Sequence, residues 1–203
     1  MKKTLALSIA GALAAGVVTT QAAVLLQVNV SDPTAVTITA TSAHATLNDN
    51  SASTFAGVTL ADFFNAPAGL NVFFMTFSTL SPAGTAQTYN WFYNNDLSAS
   101  DRGLNLYRDL ASPQTQIFTT AAPAFTGSAT LDLTKLGGVV LPLGLLPTVG
   151  TIGNLVVGDG EGAGSGATIG QWQVVVPEPS TWGVVSLVAL GSVGVVMRRR
   201  NRR

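Results

Sequence analysis

The chain has 203 residues, with ten basic side chains, ten acidic side chains and no cysteine. The missing thiols exclude disulfides, thiolate metal sites, a cysteine nucleophile and a lipid-bearing cysteine. Residues 23–176 hold three basic against nine acidic groups, so this stretch repels a phosphate backbone and nucleic acid is excluded as its partner.

The first 22 residues fall into three zones. Lys2 and Lys3 are followed by an apolar run over residues 5–18, and then by Thr19-Thr20-Gln21-Ala22. A basic start, a short apolar stretch and small residues at −3 and −1 form a secretory signal peptide, here a helix that is removed between Ala22 and Ala23. The Sec translocon and signal peptidase are the partners this layout implies. The apolar run is short for a permanent membrane span.

From residue 24 the dominant period is two. Val24, Leu26, Val28 and Val30 alternate with Leu25, Gln27 and Asn29, and Val36, Ile38 and Ala40 alternate with threonines. Tyr89, Trp91 and Tyr93 share one face of a predicted strand. Leu131 with Leu133, and Trp172 with Val174 and Val176, do the same. Alternation of this kind marks half-buried strands. Residues 70–77 are apolar on both faces and read as a central strand. Weaker strands are expected at residues 54–60, 104–108, 115–119 and 151–157, and one helical turn at residues 61–66. Turn chemistry separates these runs at Ser31-Asp32-Pro33, Asn48-Asp49-Asn50, Pro67-Ala68-Gly69, Ser81-Pro82-Ala83-Gly84, Asn94-Asn95-Asp96 and Ala111-Ser112-Pro113. About ten short strands with regular turns predict an all-β domain over residues 23–175, an antiparallel β-sandwich of jelly-roll-like form.

Nothing in this domain marks catalysis, and it is read as a non-enzyme with no cofactor and no metal. His44 is the one histidine and cannot make a metal cluster alone. The Gly-rich run at residues 158–166 lacks a phosphate-loop lysine, and Asp159 with Glu161 make only part of a Ca²⁺ shell, so a hairpin loop is expected there. Asp101, Arg102, Arg108 and Asp109 read as surface ion pairs rather than a glycosidase carboxylate pair. Two alternatives to a structural role are a carbohydrate-binding module, with Tyr89, Trp91, Tyr93 and Tyr107 stacking on sugars, and, ranked last, a secreted hydrolase. Aromatic residues on one strand face more often pack inward. Leu146-Pro147-Thr148-Val149-Gly150 places its threonine one position early for an LPxTG motif, and no membrane segment follows it directly.

The end of the chain has its own grammar. Val176-Pro177-Glu178-Pro179-Ser180-Thr181 precedes an uncharged stretch to Met197, and Arg198, Arg199, Arg200, Arg202 and Arg203 follow. Residues 181–197 give about 25 Å of helix, the short end of a transmembrane span. The arginines stop translocation and stay cytoplasmic, as Lys2 and Lys3 do at the other end, which places the middle of the chain outside. Pro177 and Pro179 fix φ and bias Val176 and Glu178 toward extended geometry, giving a stiff peptide above the membrane.

Residues 176–203 resemble the PEP-CTERM sorting signal, with Pro177, Glu178 and Pro179 as its core. The resemblance implies a Gram-negative bacterium that makes exopolysaccharide. It also implies recognition of the tail by exosortase, a membrane enzyme with a catalytic cysteine of its own that cuts near the motif. The expectation is an inner-membrane-anchored precursor that becomes a structural protein of the cell surface or extracellular matrix, with exopolysaccharide as a partner.

Overall fold

The computed structural model of the chain describes residues 22–66, 73–85, 88–93, 102–134, 143–158 and 165–176. The expected signal helix and transmembrane helix, with Pro177, Glu178, Pro179 and the five terminal arginines, lie outside these residues.

The described domain is all-β. Its strands are β1 (Val24–Asn29), β2 (Val36–Ala40), β3 (Ala52–Leu60), β4 (Phe73–Phe74), β5 (Phe77–Ser78), β6 (Ser81–Pro82), β7 (Trp91–Tyr93), β8 (Leu104–Thr115), β9 (Phe125–Thr126), β10 (Ser128–Leu131), β11 (Ile152–Val157) and β12 (Thr168–Val174). Ten of them form one sheet in the order β4-β7-β8-β3-β11-β12-β1-β2-β10-β5, and β6 pairs with β9 apart from it. A 3₁₀ turn at Leu143–Leu145 was not foreseen from the sequence. Residues 61–66 form turns and bends rather than a helix.

The sheet is mixed, which corrects the purely antiparallel expectation. β1 and β12 run parallel, with Leu26 opposite Trp172 and Val28 opposite Val174. The other pairings of the sheet are antiparallel, including β1 with β2 and β11 with β12. Alternation along each strand is local and cannot tell the direction of a partner that arrives some 150 residues later.

The predicted central strand at residues 70–77 is also corrected. Phe73 and Phe74 pair with β7, whereas Phe77 and Ser78 pair with β10 at the other end of the sheet order. Between them Met75 N donates to Asn90 O (2.9 Å) and Thr76 N to Thr130 O (2.9 Å). One run of chain therefore supplies both edges of a curled sheet.

Ala111-Ser112-Pro113, expected as a turn, lies inside β8. Ser53 pairs with Gln114 and Phe55 with Asp109, so residues 110–113 face residue 54 alone. The proline sits in this irregularity, where a missing N–H breaks no ladder bond.

The period of two shows directly in the core. Leu26, Val28, Val36, Ile38, Val58, Leu60, Leu104, Leu106, Ala129, Leu131, Leu155, Val157, Trp172 and Val174 are buried in one cluster with Phe63, Phe64, Phe92, Phe118 and Phe125. The face of β7 is reversed from expectation: Phe92 joins the core, and Trp91 and Tyr93 do not. Tyr89 is also in the core, but it lies before the strand. Tyr89 N donates to Leu80 O while Asn90 N donates to Tyr107 O, so the backbone changes partner between the two residues and the faces exchange.

Candidate functional site

The first and last strands of the domain, β1 and β12, lie side by side in the middle of its sheet. Ala22 and Ala23 are half-buried. Ala23 packs against the core, and its carbonyl oxygen accepts from Gln171 N at 2.9 Å. Val24 O accepts from Thr41 Oγ1 at 2.8 Å, and Leu25 O accepts from Thr41 N at 3.0 Å. Thr41 thereby pins β1 on the side of β2, and Gln171 pins it on the side of β12. Gly170 makes the second contact possible. A Cβ there would lie 2.6 Å from the side chain of Leu25 and 2.9 Å from Ala23 O.

At the other end, Val174 N donates to Thr151 O (2.8 Å), and Val175 N to Val28 O (2.9 Å). Gly150, at φ 88°, donates back to Val174 O (3.0 Å) from the turn before β11. Val176 is 60 % exposed. Pro177 has no N–H with which to continue a ladder. Since β1 and β12 are parallel, Ala23 lies level with Gln171, and the tail departs roughly 17 Å further along the strand axis. Near this exit, Thr34 donates to Asp32 Oδ1 from both Oγ1 (2.7 Å) and N (2.9 Å). Those bonds hold the Asp32 carboxyl below its ordinary range.

The aromatic residues considered for sugar binding separate into two groups. Tyr89 is buried, its hydroxyl donating to Gln116 Oε1 at 2.6 Å, and Gln116 Nε2 donates to Gly57 O at 2.9 Å. The second group lies on the opposite face of the sheet. Phe74 lies tilted at 31° against Trp91 with ring centroids 3.3 Å apart, Trp91 lies 6.5 Å from Tyr107 at 24°, and Tyr107 meets Tyr93 edge-on at 5.0 Å. These rings cover one another. Tyr93 and Tyr107 are each 5 % exposed, Trp91 is half-buried, and Phe74 alone is open at 64 %. That is the geometry of aromatic packing rather than of a row presenting its faces to a ligand.

The remaining candidates are dispersed. Arg102 pairs with Asp62 at 2.7 Å, both well exposed, and the expected Asp101 lies outside the described residues. An exposed pair of this kind contributes about 0–1 kcal/mol. His44 is exposed and its Nδ1 lies 3.1 Å from Thr120 O. Among the described residues, no group of three or more His, Asp or Glu side chains converges as a metal site would require. Thr41, Gln171 and Gln116 were not singled out from the sequence. Their roles depend on partners far away in the chain, and no local pattern signals them.

The described sheet ends at Val175, two residues before the Pro-Glu-Pro segment. The family model described as the PEP-CTERM protein-sorting motif matches residues 175–202, so the chain is a protein bearing a PEP-CTERM motif. That signal implies export, targeting to the cell surface and recognition by exosortase. No curated protein and no solved structure matches the chain.

Proposed function

We propose that this chain is a structural protein of the cell envelope or extracellular matrix. Residues 1–22 are its leader, residues 23–175 the delivered domain and residues 176–203 the sorting segment. The precursor is anchored in the inner membrane by residues 181–197 until exosortase cuts near Pro177-Glu178-Pro179. Association with exopolysaccharide follows from what the sorting motif implies.

One observation carries this reading: the match to the sorting motif begins at Val175, the last of the described residues paired into the sheet, so the matched segment and the sheet meet there. The leader boundary has similar support, because Ala23, the first residue after the expected cut, is the first of the described residues bonded into the sheet. The self-covering aromatic stack favours a structural role over a sugar-binding one. Sequencing the N-terminus of protein recovered from the envelope or medium tests the reading. The expected first residue is Ala23 or one within a few positions of it, whereas an intact Met1 on the exported form contradicts it.

A further inference from the structure

The first and last strands of the described domain run side by side in the same direction. Val24 lies opposite Gln171, and Val28 lies opposite Val174. The strand pair is therefore entered at one end, at Ala23, and left at the other, at Val175. An antiparallel pair would have put both of these points at one end. The difference decides how the pair answers to force. Tension between Ala23 and Val175 drives β1 and β12 past each other along their axes, so all the bonds between them share it at once. Tension between two points at the same end opens the pair from that end, and each bond carries it in turn.

The surroundings of the pair resist sliding. Main-chain bonds close it near both limits, from Gln171 N to Ala23 O and from Val175 N to Val28 O, each 2.9 Å. Neither strand lies at an edge, because β2 flanks β1 and β11 flanks β12. Neither can swing aside to relieve the load. Trp172 adds a bolt. Its ring is fully buried beside Phe63, and its Nε1 donates to Ala61 O at 3.1 Å. A slip of one residue would turn that ring to the other face of the sheet, and a slip of two would drag it about 7 Å through a packed core. No small slip is open to β12, so it holds until the core opens.

We propose that the β1–β12 pair is a mechanical clamp, by which the domain bears tension applied between Ala23 and Val176. Its use to the cell rests on the structural role proposed above. The mechanical property rests on the sheet alone. A weak clamp and an exported chain that keeps Met1 are therefore separate failures.

Forced unfolding of the full-length chain in detergent micelles, held in optical tweezers, tests the clamp. The sequence holds no cysteine, so two introduced thiols are the only points that take the handles. Ala22→Cys with Val176→Cys loads the pair in shear. Ala22→Cys with Thr168→Cys loads it from one end, because β1 and β12 both begin there. Thr168 and Val176 are both exposed, so neither change disturbs the core. At one pulling rate, shear should need at least about twofold more force than opening from the end, since forced unfolding follows the unfolding barrier along the direction pulled. Val175→Pro removes the N–H that bonds Val28 O. It should lower the shear force and leave the end-on force unchanged, because opening from the Ala23 end reaches that bond last. Equal forces in the two directions overturn the clamp. An equal loss in both directions from Val175→Pro also overturns it, as that change would then be a general weakening.

Discussion

The indole of Trp172 occupies the space directly in front of Gly153, its partner across the β11–β12 pair. A Cβ on residue 153 would stand 2.5 Å from Trp172 Nε1 and Cε2. The ring is fully buried, lies 5.3 Å from Phe63, and donates from Nε1 to Ala61 O at 3.1 Å. Gly153 is thus a packing glycine, absent a side chain so that the largest buried ring can lie across its strand.

Gly153→Val should therefore destabilise the domain by about 1–3 kcal/mol through overpacking. Trp172→Ala should cost about 3–5 kcal/mol through the cavity it leaves. Urea midpoints of residues 23–176 measure both. A neutral Gly153→Val would place the indole elsewhere.

Gln116 is buried and bridges Tyr89 Oη to Gly57 O. Replacing it with leucine leaves the tyrosine hydroxyl without its partner, at about 1–3 kcal/mol, while Gly57 O keeps its bond from Gly158 N at 3.0 Å. Adding Tyr89→Phe to Gln116→Leu removes the stranded hydroxyl, so the double variant should lose less than the sum of the two single changes. A double-mutant cycle by denaturant unfolding reads this coupling, and strict additivity would contradict the bridge.

Burial raises the Tyr89 hydroxyl well above the ordinary tyrosine value of 10.0. In the unfolded chain the group ionises near that ordinary value, while in the folded chain it stays protonated. The folded state then binds the extra proton, so stability is full below pH 10.0 and falls as pH rises above it toward the folded value. Tyr89→Phe should flatten this alkaline fall, and an unchanged profile between pH 9 and 11 would contradict the burial.

How far the sequence speaks for the structure depends on the range of each signal. β1, β2, β10 and β12 are legible because their alternation is written in four to seven consecutive residues, and the tail motif is legible for the same reason. The parallel pairing of β1 with β12 is not, because nothing in Val24–Asn29 records the direction of a strand at the far end of the chain. The division of residues 73–78 between β7 and β10 depends on strands at the two ends of the sheet order, whereas an apolar run on its own reads as a central strand. Pro113 shows a third limit. A turn-former inside a bulge and one inside a loop look alike until the partner strand is known.

The sorting role turns on Glu178, the one charged residue between Glu161 and Arg198. Glu178→Ala leaves both the apolar length and the arginines unchanged, so a plain tail anchor would not respond to it, whereas a peptide read by exosortase would lose its charged recognition group. The decisive measurement is the size and membrane fractionation of a tagged wild type and Glu178→Ala in an exosortase-bearing host. The wild type should appear as the shortened domain outside the inner membrane, and Glu178→Ala should accumulate at full length within it. Both forms remaining full-length in the inner membrane would make the tail an anchor and contradict the sorting role.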